Sequence, residues 1–315
     1  MQIGNDSARE ALAAAMASGV LHHAWLIAGP QGVGKGAFAR QTARKLLSTG
    51  RATIDNEVEH QIAAGAHPRY RELIRLPKDP DKPDEAIARS ITIAQVRSLQ
   101  SLFARRPEPG EHRVVVIDSI DDLERAAANA LLKSLEEPPA GTIFLLVSHS
   151  PGRLLPTVRS RCRLLRFEPL PPSQVASILR EQLPQATAGE IDALVRAGEG
   201  SPGRALGFAG LDIATLEAEM IALAETGDPG NAIRVRLSKL LGLKAAQPRY
   251  EAFLDRAPTF IADRARNRSG EALRTALDTY QAARDLAGSA LGLSLDASAT
   301  VFEMAGLIAR LAPAR

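Results

Sequence analysis

The 315-residue sequence contains one cysteine, Cys162. A single thiol excludes an intrachain disulfide and any metal site built from several cysteines. The histidines do not make up the shortfall. His22 and His23 are adjacent and are expected to point in different directions, and His60, His67, His112 and His149 are scattered without ligand spacing. No metal, and zinc in particular, is therefore expected. An excess of either sign of charge is also lacking. With 39 Lys and Arg against 36 Asp and Glu, the formal net charge is only +3. Contact with nucleic acid is permitted, but it has to come from a local cluster. No hydrophobic run approaches the roughly 18 apolar residues of a membrane span. The start, MQIGNDSAREALAAAMASGV, carries Asp6, Arg9 and Glu10 ahead of its apolar run. A secretory leader has a basic start and an uninterrupted apolar core. This stretch reads instead as a helix capped by Asp6 or Ser7 and stopped at Gly19. The expectation is a cytoplasmic protein with no membrane contact.

What is present is an alternation of strand and helix patterns. Ala24–Ala28 is a short apolar run that ends at a glycine. A helical pattern follows from Ala37 to Leu47, then a polar, partly helical stretch over 48–66. Tyr70–Leu76 is a second strand candidate, and Pro77–Arg89, rich in proline and charge, reads as a solvent loop or hairpin. Ile93–Arg106 is an amphipathic helix ended by Pro107-Glu108-Pro109-Gly110. Val114–Asp118 is continuously β-branched, as a strand buried on both faces of a parallel sheet requires. Asp121–Glu137 reads as a helix stopped by Pro138-Pro139, with Leu123, Ala127, Ala130, Leu131 and Ser134 as its core stripe. Thr142–Val147 is a further strand. This order predicts a doubly wound α/β domain. After Pro169-Leu170-Pro171-Pro172 only helical patterns remain. The expected division is 1–168, 169–211 and 212–315.

Gly29-x4-Gly34-Lys35 has the form of a phosphate loop. Gly29, Gly32 and Gly34 let backbone N–H groups converge on an anion, Lys35 adds a charge, and the next helix adds its positive end. The residue after the lysine should carry a hydroxyl for Mg²⁺. Here it is Gly36. Asp118 stands where a Walker-B carboxylate belongs, placed to hold the metal through water. Ser119 follows it, where a hydrolase needs a glutamate to polarise water. Asp121 and Asp122 are displaced by two and three residues and are poor substitutes in a fixed geometry. The loop is expected to hold ATP or ADP weakly at most, to require no cofactor, and to turn nothing over.

Residues 151–166, PGRLLPTVRSRCRLLR, carry Arg153, Arg159, Arg161, Arg163 and Arg166 without an acid. They are either a solvated loop paired with distant carboxylates or a functional cluster. Ser160-Arg161-Cys162, together with NALLKSLEEPP over 129–139, resembles the bacterial clamp-loader subunits of the AAA+ class. Supporting motifs are Gly29–Gly36, His67-Pro68-Arg69-Tyr70, Ile91–Arg97, Val114–Asp118 and Gly200-Ser201-Pro202-Gly203, so the resemblance covers roughly residues 20–210. It implies an AAA+ P-loop domain with a parallel sheet, a small helical lid and a helical C-terminal collar. It also implies partners: motor subunits and a delta subunit in a hetero-pentamer, a sliding clamp, and primed DNA reached through the assembly. In such loaders the arginine of the SRC motif acts in trans on a neighbour's ATP, which makes Arg161 the expected arginine finger. Decayed metal-binding positions beside an intact SRC resemble the non-hydrolysing subunit, accessory to a DNA polymerase. The alternatives are an active AAA+ motor that holds Mg²⁺ through Asp118 and water, and a stand-alone DNA-binding protein using the 153–166 arginines. Two departures from the family stand out. The four-cysteine zinc module that follows the P-loop helix has no counterpart in 48–66. The lid pattern Gly-Ser-x-Arg has Gly203 in place of its sensing arginine, with Arg204 one residue late. Ser148 is either a polar sensor or a cap on its strand. Cys162 is expected to be a packing residue.

Overall fold

The computed structural model describes residues 4–48, 52–79, 81, 87–104, 107–108, 110–293 and 295–313. The chain forms two compact units: Met1–Val175 with Gly200–Gly203, and Ala176–Glu199 with Arg204–Arg315.

The first unit is built on five parallel strands, β1 (Ala24–Ala28), β2 (Tyr70–Leu73), β3 (Arg113–Asp118), β4 (Thr142–Ser148) and β5 (Arg163–Arg166). Their order across the sheet is β2-β3-β4-β1-β5. β1 lies between β4 and β5, with Leu26 opposite Leu146 on one side and Leu164 on the other. The central strands are covered on both faces, which is why their sequences are apolar throughout. Alternate side chains feed two cores. Trp25, Ile27, Val114, Val116 and Leu145 pack with Phe38 and Ala43 of α2 (Lys35–Leu47) and with Leu12 of α1 (Asp6–Ala17). Val58 and Ile62 of α3 (Ala52–Ala63) close the same layer. On the other face Leu26, Val115, Ile117, Phe144 and Leu146 meet Val96 and Leu99 of α4 (Ile93–Phe103) and Leu131 and Leu135 of α5 (Arg125–Glu136).

Several boundaries differ from expectation. The N-cap position of α1 is Asn5, in left-handed geometry with φ 58°, so Asp6 and Ser7 are already helical. β2 ends at Leu73, and Pro77 pairs antiparallel with Ile87; positions 80 and 82–86 of that loop lie outside the described residues. The expected helix 121–137 is split. A 3-10 turn covers Ile120–Asp122, Leu123 bridges to Ile91, and α5 begins at Arg125. Backbone bonds from Ile91 to Asp122 O and from Glu124 to Ile91 O hold the interruption open. The fully buried stripe of α5 is Ala127, Leu131 and Leu135; Leu123 and Ala130 pack partly buried against the same core, and Ser134 is half-buried. α4 is closed at its start by a reciprocal Thr92–Gln95 capping box; positions 105–106 of the expected helix lie outside the described residues. β5 was not anticipated. It is a four-residue edge strand with only Leu165 buried, and arginines hide its alternation. A four-residue helix α6 (Pro156–Arg159) precedes it. Just before β1, the rings of His22 and His23 stack with centroids 4.4 Å apart instead of pointing in different directions.

The second unit is helical among the described residues. It contains most of α7 (Pro172–Gln182), then α8 (Ala188–Gly198), most of α9 (Pro202–Gly207), α10 (Ile213–Thr226), α11 (Ala232–Leu241), α12 (Gln247–Ala265), α13 (Gly270–Leu293) and α14 (Ala297–Ala309). Leu223, Leu237, Phe253, Ile261, Val301 and Ile308 are fully buried within it. An ion cluster ties α8 and α9 to α12. Glu199 accepts from Arg204 at 2.7 Å and from the buried Arg256 at 3.2 Å, and Asp255 accepts from Arg204 at 2.9 Å.

Candidate functional site

The loop after β1 has the shape its glycines predict. Gly29, Gly32 and Gly34 all have positive φ, at 154°, 79° and 94°. Gly34 hands the chain to α2 in left-handed geometry, so the helix start faces the loop's concavity. Lys35 is buried, and its Nζ donates to Gly29 O at 2.7 Å and to Pro30 O at 2.5 Å. Burial lowers its pKa to about 8, against the opposing charges of Asp118 and Asp121. Residues 200–203 close over the same loop. Ser201 Oγ donates to Gln31 O at 2.6 Å, and Gly203 N–H donates to Gly32 O at 2.9 Å. A Cβ on Gly203 would lie 2.9 Å from Gly32 Cα, so this seat accepts glycine and excludes an arginine. Arg204 is engaged by Glu199 and Asp255.

The residues present do not fit a bound Mg²⁺. A Cβ on Gly36 would collide with Asp118 Oδ2. That same oxygen accepts from Arg40 Nη2 at 3.0 Å. Arg40 also grips Glu72 Oε1, at 2.8 Å through Nε and 2.7 Å through Nη2, and Tyr70 OH donates to Glu72 Oε2 at 2.9 Å. Burial pulls the Arg40 pKa down, but its hydrogen bond to Glu72 and the charges of Glu72 and Asp118 outweigh that and raise it. Tyr70, buried and bonded to Glu72, is pushed up as well. Asp118 thus belongs to an ion triad built from α2, β2 and β3.

The neighbouring polar groups are equally committed. Asp121 accepts from Ser148 Oγ at 3.0 Å and from His149 N at 2.6 Å, so both of its oxygens organise the end of β4. Ser148 therefore anchors its strand to the 3-10 turn. Ser119, in the expected water-polarising position, is buried, with an Oγ that has no partner among the described residues. His149 Nδ1 is likewise buried and unpartnered, and burial followed by the Lys35 charge lowers its pKa.

Arg161 stands outside this pocket, at the surface of the first unit. Its Nη2 contacts Glu136 Oε1 at 2.8 Å, and its Nη1 donates to Thr157 O at 2.8 Å. The side chain is one-third exposed. α5 ends at Glu136, where Pro138-Pro139 stop it, so one helix end and the turn after α6 set the arginine's direction. Arg153, Arg159, Arg163 and Arg166 are exposed, and Arg163 lies over the Trp25 ring at 5.1 Å. Cys162 is packed against the core, and burial pushes its thiol up to about 11, which makes it inert at neutral pH.

The phosphate loop, the Arg40–Glu72–Asp118 triad and Arg161 all lie within residues 4–171, the span matched by the family model described as "DNA polymerase III, delta subunit". The chain belongs to this family. It is 38% identical over 186 residues to the DNA polymerase III subunit delta' of Pseudomonas aeruginosa, covering 57% of this chain and 53% of that protein. Against the delta' subunit of Escherichia coli K12 the figures are 36% over 201 residues, 62% and 57%. The gamma/tau subunit of Mycobacterium tuberculosis H37Rv is 30% identical over 204 residues, 64% of this chain and 34% of that one. The chain thus spans a little over half the length of its delta' relatives. Among solved structures, the Thermotoga maritima RuvB Holliday junction branch migration motor is similar at 17% identity and TM-score 0.46, over 96% of this chain and 87% of that one. A gamma subunit-related protein from the same organism is similar at 17% and 0.42, over 91% and 95%.

Within this DNA polymerase III delta family member, the residues missed from sequence are Arg40, Glu72 and Glu136. Arg40 had a usable signal. It follows Gly36 by four residues, on the same face of α2, where a group replacing the absent hydroxyl's partner would sit. Glu72 and Glu136 had none, since each meets its arginine only through packing.

Proposed function

We propose that the chain is the delta-prime subunit of a DNA polymerase III clamp loader, an ATPase-deficient stator that lends Arg161 in trans to a neighbouring motor subunit. The observation that carries this reading is the contrast between two sites of one unit. The loop that should fire holds a guanidinium where a metal belongs, while Arg161 is presented at the surface on an exposed carboxylate. A planar guanidinium placed against a γ-phosphoryl group stabilises charge that develops during transfer, and a lysine does not reproduce its fork. Glu136 keeps Arg161 extended until the stronger charge of a polyphosphate competes for it. The proposed assembly is a hetero-pentamer with motor and delta subunits that opens a sliding clamp and closes it around primed DNA. The exposed arginines flanking Arg161 suit the phosphate-rich side of that interface.

The test is reconstitution with motor subunits, a delta subunit, clamp and primed DNA. Arg161→Ala leaves assembly intact by size-exclusion chromatography and lowers stimulated hydrolysis at one interface by about 10²-fold or more, the order of a lost transition-state charge contact. Unchanged hydrolysis and loading in that variant would remove the finger role.

A further inference from the structure

We infer that the Arg40 guanidinium is a built-in replacement for the divalent cation of this phosphate loop, and that the loop's anion site works without metal. The inference goes beyond the stator role, which requires only an idle pocket, and gives that pocket a chemistry of its own.

Three features support it. First, the parts of the anion loop are retained: three positive-φ glycines, the start of α2 and the buried Lys35, whose amine rests on the loop carbonyls of Gly29 and Pro30. Second, the metal seat is filled. Asp118 Oδ2 and Glu72 Oε1 are two carboxylate oxygens on adjacent strands, and Arg40 Nη2 touches both, at 3.0 and 2.7 Å. Charge-assisted bonds of this kind satisfy the oxygens that a hard cation would otherwise claim. Third, the two departures from a metal-binding loop are one event. Gly36 and Arg40 share a face of α2, and any side chain at 36 would collide with Asp118 Oδ2 and press on Arg40 Nη1 at 3.1 Å. The bare glycine at 36 leaves the space in which the guanidinium meets the carboxylate. The ligand class that fits the remaining site is a phosphate or polyphosphate free of metal, with Lys35 and the loop N–H groups as its donors.

The experiment uses the full chain and Mn²⁺ alone, with the free ion counted by electron paramagnetic resonance. Wild type binds no Mn²⁺ at Asp118. Arg40→Met, which bares both carboxylates, gains a site at least about tenfold tighter than any wild-type binding, and Asp118→Asn in the same background removes it. Arg40→Lys keeps a cation in the seat and excludes Mn²⁺ as wild type does, which separates charge replacement from a general loosening of the fold. In a second arm, tripolyphosphate in EDTA raises the thermal midpoint of wild type and not that of Lys35→Ala. Mn²⁺ bound by wild type and lost in Asp118→Asn overturns the inference. So does an Arg40→Met variant that gains no site, or tripolyphosphate protection that requires Mg²⁺. These measurements on the isolated chain fail or succeed independently of the reconstituted Arg161 assay.

Discussion

Lys35 is a residue whose chemistry is strongly altered by its surroundings. Its amine is satisfied by two carbonyls of its own loop, yet burial holds its pKa near 8, below the ordinary lysine value of 10.5. Between these two values the unfolded chain carries a proton that the folded chain lacks. Stability from this group therefore rises with pH across about 8 to 10.5, by at most about 1.4 kcal/mol per pH unit. Urea titrations of wild type and Lys35→Met at pH 7.5 and 9.5 should show that rise in wild type and its absence in the variant. The anion site proposed for this loop would favour the charged amine, so the expected affinity for tripolyphosphate falls as pH climbs above 8. Arg40 is the counterpart of Lys35: it keeps 40% of its side chain exposed and is paired with two carboxylates, so its charge is reinforced. Gly36 and Gly203 matter for the space they leave. One admits Asp118 and Arg40, the other admits the Gly32 backbone.

Among the elements, α5 links most of the site. It starts just past the Asp121 turn that anchors Ser148 and ends at Glu136, which holds Arg161. Its grip on the sheet comes from Ala127, Leu131 and Leu135, all fully buried. Leu131→Ala removes the central contact and should cost about 2–5 kcal/mol by chemical denaturation, the range for a large-to-small change in a packed core. A loss under about 1 kcal/mol would mean the helix is seated differently. Most of this unit's core was legible as sequence, because strands covered on both faces must be apolar throughout. β5 was not, since its outward side chains are arginines and its pairing depends on β1 alone. The start of α5 was misplaced because Ile91, thirty-two residues before Leu123, interrupts the helix there. No local propensity encodes that bridge.

For the whole molecule, the prediction is that the purified chain by itself releases phosphate from ATP no faster than Lys35→Ala does, in a steady-state assay with Mg²⁺. Turnover abolished by that substitution would restore the motor reading. The sequence by itself determined the α/β alternation, the phosphate loop, its missing hydroxyl and the arginine run. Each of these is a local pattern, written in the periodicity or spacing of neighbouring residues. Only the tertiary structure decided what became of those parts. Arg40 meets Asp118 across 78 positions and Glu72 across 32. Gly203 reaches Gly32, and Arg161 finds Glu136. A charged side chain has several possible partners in a chain of balanced charge, and the choice among them is made by which elements pack together.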